Sequence, residues 1–320
     1  MRLEPSHYPY QTLYLMDLAQ LQPQLVRAWP VNRQAGFIML SAETSDTWLV
    51  WEEVANGDDL RRPTSWKLYA GGIQRPELRL DQPILVDSGR TPTHSRPLFD
   101  ICGDRLLWAI TSPGKPATTV LTAVDLRRRS TLFSLHLNGV ASSLTTAGDE
   151  AWVTMLEHAG NPAARLRCFN STSGKELPDL CLNNPSQLSH WTARGLGWTA
   201  WALFPSPEEP HPTLYARDPR GTLHKVLDNA NDPCFAGNHL VFDQCTMPSA
   251  RATDGEAVIW VADLRAGVLR ELLRGDTATG GWWYVPVNGG STQRTLVVAT
   301  VALPDVGVPL ETQLRVYRFK

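Results

Sequence analysis

Five polar residues of the sequence could together form a cation-binding or acid–base site: Asp100, Asn184, His190, Asn231 and Asp232. Carboxylate and amide oxygens are the ligands that Ca²⁺ and Mg²⁺ prefer, and an imidazole beside them can transfer protons. A divalent cation held by such a set would support metal-assisted hydrolysis. The five residues are spread over more than a hundred positions, so only the fold can bring them together.

No short catalytic motif accompanies these residues. The sequence contains no H-E-x-x-H, no Walker loop, no G-x-G-x-x-G and no G-x-S-x-G. Its five cysteines form no C-x-x-C pair and have no zinc-ligand spacing, so we expect them to be buried as small hydrophobic residues. In an exported chain, disulfides between Cys168 and Cys181 or between Cys234 and Cys245 would be conceivable.

The composition is that of a soluble globular protein. The chain of 320 residues is 42% hydrophobic and 19% charged, with a net charge of −2, which gives no electrostatic reason to expect nucleic acid or an anionic membrane as the partner. Only five of the 30 basic residues are Lys, which suggests a GC-rich bacterial genome. No apolar segment has the length of a signal peptide or membrane helix. We therefore expect a monomer that is cytoplasmic as written, or periplasmic or exported if a targeting segment has been removed.

Two strand patterns recur along the chain. The first is an apolar run, a tight turn and a second run that ends in an aromatic residue, and it occurs six times: at 37–53, 97–110, 142–155, 188–203, 232–244 and 282–301. A Gly-Asp or Gly-Asn turn between such runs predicts a β-hairpin. The second pattern is a pair of short runs around a small polar turn. Its turn residues are Asp17, Gly71, Asp125, Asn170, Asp218 and Asp263, which lie 45 to 54 residues apart.

A period of this length with four strands per unit predicts a β-propeller. We predict a single all-β domain over residues 1–320, with six four-stranded antiparallel blades around a central channel. N-terminal strand material would close the last blade, built from about residues 282–319, so that the ring has no open edge. One strand is surplus at this closure, so seven blades or a five-stranded closing blade remain alternatives. Large residues near the end of each second strand would fill the wedge between blades: Trp51, Trp108, Trp201 and Phe242.

The repeat resembles the TolB-like six-bladed propellers. ICGDRLLW and SWKLYAGGI look like short, degenerate copies of the "G-x-r-[IV]-x-W" hairpin of that family and of the "[IL]-Y-x-x-[DN]-[LV]" strand that follows it. The resemblance extends over residues 12–319, although the copies at 188–203 and 282–301 lack the Gly-acid turn. It implies an envelope-associated or exported binding or scaffold protein, or a propeller attached to a peptidase. The missing G-x-S-x-G leaves a peptidase role without support.

A propeller would place its functional groups at the channel mouth and on its loops. Counting back from the hairpin glycine gives two alternative channel-facing sets. One is Leu98, Ser143, His190 and Asp232, and the other, two positions further on, is Asp100, Thr145, Thr192 and Cys234. Trp282 and Trp283 are adjacent on one strand and must point to opposite faces, so we add both to the channel-mouth candidates. In the loop over residues 52–65, the dense charge group of Asp58, Asp59, Arg61 and Arg62 is the candidate surface for a partner.

Two functions follow from these features. The first is a non-catalytic binding or scaffold propeller that recognises a protein or glycan through its loop face or channel mouth, without a cofactor. The second is a metal-assisted hydrolase or lactonase whose acids and His meet at the channel around a divalent cation. An electron-transfer or quinone-type role is a more distant third. The sequence identifies no catalytic residue, and we favour the binding protein.

Overall fold

The computed structural model of the chain describes residues 10–17, 22–30, 37–55, 65–75, 77–90, 95–156, 164–178, 188–195, 197–203, 212–236, 238–246, 256–276, 282–287, 295–302 and 312–318. Every regular element in these ranges is a β-strand, as the period-2 alternation of the sequence predicts. No helix in the described part of the chain has the length and apolar character needed to cross a membrane.

The strands are β1 (Tyr10–Asp17), β2 (Gln22–Pro30), β3 (Phe37–Thr44), β4 (Trp48–Ala55), β5 (Ser65–Gln74), β6 (Arg79–Leu80), β7 (Ile84–Arg90), β8 (Leu98–Cys102), β9 (Arg105–Ser112), β10 (Thr118–Asp125), β11 (Ser130–Asn138), β12 (Val140–Ala147), β13 (Glu150–Leu156), β14 (Ala164–Asn170), β15 (Leu188–Gly195), β16 (Trp198–Leu203), β17 (Thr213–Arg217), β18 (Leu223–Asp228), β19 (Ala230–Ala236), β20 (His239–Thr246), β21 (Glu256–Asp263), β22 (Val268–Asp276), β23 (Trp282–Val287), β24 (Thr295–Ala302) and β25 (Thr312–Arg318).

All six predicted hairpins form antiparallel pairs in the structure. They are β3–β4, β8–β9, β12–β13, β15–β16, β19–β20 and β23–β24. Each hairpin opens a sheet that continues with the next strands of the chain, and β1 and β2 form a further two-stranded sheet. The repeat detected in the sequence is therefore a repeat of antiparallel sheets.

The predicted four strands per sheet are found in three sheets, β8–β11, β15–β18 and β19–β22. The β3–β7 sheet has five strands because a two-residue strand, β6, precedes β7, and both pair with β5. The β12–β14 sheet has three described strands, and beyond β14 a single bridge joins Phe169 and Glu176. Pro178 follows two residues later and has no N–H to donate to a ladder.

The turns of the second pattern are closed by the predicted polar side chains. Oδ1 of Asp125 accepts a hydrogen bond from the N–H of Arg128 at 2.8 Å. Oδ1 of Asn170, Asp218 and Asp263 each accepts bonds from two N–H groups that follow it in the turn. A carboxylate or amide that binds the backbone of its own turn favours the turn over an extended chain.

The predicted turn at Gly71 is wrong, because β5 runs straight through this residue. A Cβ on Gly71 would lie 2.7 Å from Cγ of Leu80, and a Cβ on Gly72 would lie 2.5 Å from Oδ2 of Asp81. The two glycines therefore make room for the chain of β6 and the residue after it to fold back over β5. The turn itself comes after Gln74, and Leu78 adopts a positive φ within it.

Within each of two parts of the chain, residues 37–170 and 188–276, consecutive sheets pack through clusters of buried apolar residues. Trp108 of β9 packs with Val54 and Trp66 of the preceding sheet, and Phe242 of β20 packs with Leu214 of the preceding sheet, as the inter-sheet wedge prediction requires. Trp51 and Trp201 are also buried. The first strands of consecutive sheets run side by side in the pairs β8 and β12, and β15 and β19.

The chain divides into two compact units. The amino-terminal unit contains His7–Ala159 and Arg167–Leu180, and the carboxy-terminal unit contains Met1–Ser6, Gly160–Leu166 and Cys181–Lys320. The first holds β1 to β13 and most of β14, whereas the second holds β15 to β25. Asp100 belongs to the first unit, and Asn231 and Asp232 belong to the second.

Candidate functional site

Asp100 lies in the first strand of the β8–β11 sheet, opposite Leu107. Its Oδ1 accepts a hydrogen bond from the N–H of Ile101 at 2.7 Å. Its Oδ2 accepts two bonds from Thr146 of β12, from the N–H at 2.6 Å and from Oγ1 at 3.0 Å. Both carboxylate oxygens are thus engaged, and one of them joins the first strands of two consecutive sheets.

A second acid, Glu43 of β3, interacts with Asp100. Burial, together with the negative charge of Asp100, raises the pKa of Glu43 to about 8. Burial also raises the pKa of Asp100 to about 6, although the hydrogen bonds from Thr146 and Ile101 act in the opposite direction. Near neutral pH the pair therefore keeps one proton, which sits on Glu43, while Asp100 carries the charge that its three donors stabilise.

The carboxy-terminal unit contains a second acidic pair, Asp232 and Asp243, on the first two strands of its β19–β22 sheet. Asn231 of β19 lies opposite Asp243 of β20, and the ladder shifts register between Asn231 and Cys234. Asp232 lies in this bulge with φ of 45°. Within the described residues, Oδ1 of Asn231, of Asp232 and of Asp243 is buried and has no hydrogen-bond partner.

Burial determines the electrostatics of this second group. It raises the pKa of Asp232, and it raises that of Asp243 to about 7 with a further contribution from the charge of Asp232. Burial, with smaller contributions from the charges of Asp232 and Asp243, raises the pKa of Cys234 to about 12. Cys234 is a free thiol that stays protonated at neutral pH, so it does not have the thiolate character of a catalytic nucleophile.

None of the remaining predicted site residues has a described side chain. The structure places His190 on β15 and Trp282 and Trp283 on β23, where only the backbone is described. Asn184 and the loop residues Asp58, Asp59, Arg61 and Arg62 lie outside the described residues. The structure adds Glu43 to Asp100, and it adds Asp243 to the sequence neighbours Asn231 and Asp232.

The sequence analysis missed Glu43 and Asp243, although one signal for Glu43 was present. Glu43 lies opposite Val50 in its hairpin, just as Asp100 lies opposite Leu107 in the next. The two acids thus occupy the same repeat position in successive sheets. No comparable pattern indicated Asp243, because it follows the wedge residue Phe242 on the second strand.

No group of three or more His, Cys, Asp or Glu side chains in the described part of the chain is arranged to hold a metal ion. Asn231 would have to supply an amide oxygen beside Asp232 and Asp243 for any hard cation to find three ligands there. The residues of the second acidic pair alone are therefore too few for an all-protein site.

A buried ion pair adds a third polar feature, in the amino-terminal unit. Glu52 of β4 is fully buried and accepts a bidentate pair from Arg96, from Nε at 2.9 Å and Nη2 at 2.6 Å. The hydroxyl of Ser41 donates to Oε2 of the same carboxylate at 3.2 Å. With its oxygens satisfied in this way, Glu52 connects β4 to the segment that leads into β8, and its role is structural.

Repeated antiparallel sheets, each opened by a hairpin and packed on its neighbours within its own unit, are typical of the all-β proteins of the β-propeller class. Among solved structures the chain is similar to the β-propeller domain of the Trilobed protease from Pyrococcus furiosus, which has an open velcro topology. The TM-score is 0.62 at 10% identity, over 97% of this chain and 89% of that one. This similarity shows the fold alone.

A second similarity is to the acylaminoacyl peptidase of Pyrococcus horikoshii, with a TM-score of 0.49 at 10% identity. It covers 89% of this chain and 52% of the peptidase, so the chain spans about half the length of that protein. No protein-family model and no curated protein matches the chain.

Proposed function

We propose that the protein is a six-bladed propeller of the TolB-like type that binds a protein or glycan without catalysing a reaction. Six hairpin-led sheets support the blade count. Four of the outer turns are closed by an Asp or Asn at the same repeat position, which supports the resemblance in the "[DN]" strand motif.

The hydrogen bonding of Asp100 carries the proposal that the protein is a binding protein. Asp100 is the acid that the sequence most favours as a reactive group at the channel. Its two oxygens accept three hydrogen bonds, two of them from the next sheet. A general acid or base needs a lone pair or proton directed at a substrate, whereas this carboxylate holds two sheets together.

The recognition surface that we propose is the loop between β4 and β5, with its charge group at Asp58, Asp59, Arg61 and Arg62. Loops on a rigid sheet scaffold are common recognition elements because they can vary without disturbing the core. A mixed-charge loop favours a partner surface or glycan with polar and charged groups of both signs.

The test is a pull-down and glycan-array measurement with a variant in which these four residues are changed to Ala. We expect captured proteins or glycans to be lost in this variant. The matched control changes Arg127 and Arg128 to Ala, because these are exposed arginines in the turn between β10 and β11. Equal binding by the wild type and the loop variant, with both folded, would contradict the proposed surface.

The buried oxygens of Asn231, Asp232 and Asp243 favour a second candidate function, a metal-assisted hydrolase or lactonase. These three oxygens have no hydrogen-bond donor, so they could serve as ligands of a divalent cation that also keeps several water ligands. Thermal unfolding in Ca²⁺, in Mg²⁺ and in chelator distinguishes the two functions. A cation that binds the folded state raises the melting temperature, and a curve that is unchanged in all three solutions eliminates the metal-dependent enzyme.

A further inference from the structure

The sequence contains two Asp–Pro peptide bonds, Asp218–Pro219 and Asp232–Pro233. Such a bond is more reactive than other peptide bonds for two reasons. The aspartate carboxyl can close a five-membered ring onto the carbonyl carbon of its own residue, where it acts at a high effective concentration. The nitrogen of the tertiary proline amide also accepts a proton more readily than other peptide nitrogens. The fold places the two bonds in opposite environments.

The backbone of Asp232 is strained. The residue lies in the bulge of β19, where Asp232 and Pro233 together oppose the single residue Phe242. Its φ is 45°, whereas a residue that precedes proline normally has an extended conformation with negative φ. A positive φ at a residue other than glycine carries a conformational cost. A break in the chain after Asp232 would release this strain.

The carboxyl of Asp232 has an oxygen that could attack a carbonyl carbon. Its Oδ1 is buried and has no hydrogen-bond partner in the part of the chain that the structure describes. Burial raises the pKa of the carboxyl, and its own backbone N–H acts in the opposite direction. The carboxyl therefore lies close to the backbone of its own residue. An oxygen without a donor keeps a lone pair for nucleophilic attack.

A proton donor lies beside this carboxyl. Asp243 lies opposite Asn231, the residue that precedes Asp232. Burial and the charge of Asp232 together raise the pKa of Asp243 to about 7, so the two carboxyls interact. At mildly acidic pH Asp243 is protonated, and it can act as a general acid for a leaving nitrogen. The β19–β20 hairpin thus brings a nucleophile and a proton donor to the region of one peptide bond.

The Asp218–Pro219 bond lacks these features. It lies in the turn between β17 and β18, and Asp218 does not have a positive φ. Oδ1 of Asp218 accepts hydrogen bonds from the N–H groups of Arg220 at 2.9 Å and Thr222 at 2.8 Å. Its Oδ2 lies 3.4 Å from Nε2 of His224. Desolvation acts to raise the pKa of this carboxyl, but the hydrogen bonds outweigh it and hold the pKa below its ordinary value.

We propose that the protein cleaves its own chain between Asp232 and Pro233. An oxygen of the Asp232 carboxylate attacks the carbonyl carbon of its own residue. The bond from that carbon to the Pro233 nitrogen breaks, and the nitrogen takes the proton of the Asp243 carboxyl. Residue 232 is left as a five-membered cyclic anhydride. Water then opens the anhydride to one carboxylic acid and one carboxylate, and the second proton of the water returns to Asp243.

This reaction is a single cleavage of the protein's own chain, so it goes beyond the binding function proposed above and requires no substrate. Intact-mass spectrometry of the purified chain at about pH 6 tests it, in chelator so that no divalent cation occupies the same oxygens. We expect fragments 1–232 and 233–320, whose masses sum to that of the chain plus one water. Cleavage at Asp232–Pro233 should exceed cleavage at Asp218–Pro219 by about tenfold or more.

The same incubation in urea is the first control, because unfolding gives the two Asp–Pro bonds similar surroundings and should make their rates similar. This comparison needs no variant. Absence of the fragments from the folded protein, or equal rates at the two bonds before unfolding, would overturn the proposal.

Three variants assign the roles. Asp232→Gly removes the nucleophile at a residue whose positive φ glycine adopts readily, so it should abolish cleavage. Asp243→Asn removes the proton donor and should slow cleavage about a hundredfold. Asp218→Asn is the matched control at the other Asp–Pro bond and should leave the rate unchanged. Cleavage of Asp243→Asn at the wild-type rate would refute the proposed proton transfer.

Discussion

Glu43 and Asp100 show how one repeat position can acquire different chemistry in successive sheets. The equivalent positions, each opposite a residue seven further along, hold Glu43, Asp100, Thr145, Ala193 and Cys234. Acids occur at two of these five positions, in neighbouring sheets, where burial raises the pKa of both carboxyls and the charge of Asp100 adds to the rise at Glu43. The proton that Glu43 keeps near neutral pH is a consequence of two adjacent copies of the repeat having the same residue class.

This pair makes stability depend on pH with a definite sign. The folded-state pKa values of Glu43 and Asp100 lie above the ordinary carboxyl values. The folded protein therefore holds protons that the unfolded chain releases between about pH 4 and pH 8, and its stability falls as pH rises through that range. Glu43 has the larger pKa shift of the two, and Glu43→Gln removes it. The substitution should therefore raise the free energy of unfolding at pH 8.5 by on the order of 1–2 kcal/mol and change it little at pH 4.5.

Urea unfolding at the two pH values measures this difference. Glu271→Gln is the control, because the hydrogen bond from Arg274 lowers the pKa of the Glu271 carboxyl and the substitution should give no gain at high pH. Asp100→Asn is the second comparison. Its amide would place N–H groups against the donors of Ile101 or Thr146, so it should cost about 1–3 kcal/mol at both pH values. A stabilising Asp100→Asn would show that these hydrogen bonds do not hold the two sheets.

At the scale of elements, the connection between sheets depends on a few buried polar links as well as on apolar packing. The Glu52–Arg96 pair links β4 to the start of the next sheet, and its carboxylate is fully buried while Arg96 is 34% exposed. Removing the cation leaves a buried charge without a partner, which is much more costly than losing an exposed pair.

We predict that Arg96→Met lowers the free energy of unfolding by about 2–4 kcal/mol. Arg274→Met, which breaks the exposed pair with Glu271, should cost less than about 1 kcal/mol. Chemical unfolding of both variants at neutral pH makes the comparison. Adding Glu52→Gln to Arg96→Met should recover part of the loss, and a double variant no more stable than Arg96→Met would show that the buried charge is not the cause.

The sequence predicted the hairpins well because both of their determinants are local. Alternation of apolar residues sets the strands, and a turn residue such as Asp125 or Asn170 sets the reversal. The strand number of the β3–β7 sheet could not be predicted, because Gly71 looks like a turn residue and is needed for the close approach of Leu80 instead. Whether Gly71 forms a turn or stays within a strand therefore depends on its contact with Leu80 of another strand, which the local sequence does not show.

The candidate site was predicted less completely because register is not local. Counting from Gly195 assigned Thr192 to the position of Asp100, whereas the ladder places Ala193 there, since the tight turn falls at Gly197. A shift of one residue moves a side chain to the other face of its sheet. Asp100 and Asp232 were found by counting back along first strands from a hairpin glycine. Glu43 lies on a first strand too, but the turn of its hairpin has no glycine from which to count, and Asp243 lies on a second strand, so both required the pairing of strands to be known.

At the scale of the whole molecule, the N-terminal strands bear on how the last sheet is completed. The described part of the β23–β25 sheet has three strands, and β1 pairs with β2 along the full length of both. Leu15 of β1 also packs against the Leu49 and Trp51 cluster of the amino-terminal unit. Our sequence prediction remains that N-terminal strand material closes the last blade, which would protect the edge of that sheet from pairing with other chains.

Deleting residues 1–30 tests this closure by hydrogen exchange. If the N-terminal strands pair with the last sheet, backbone amides of β25 at 312–318 should lose protection in the truncated chain, because an edge strand exchanges through local opening. Amides around Leu49 and Trp51 should lose protection in either case, since Leu15 no longer covers them, and they report that the deletion acts as intended. Unchanged exchange at 312–318 beside faster exchange at Leu49 would show that the ring is not closed by the N-terminus, and would place β1 and β2 with the amino-terminal unit alone.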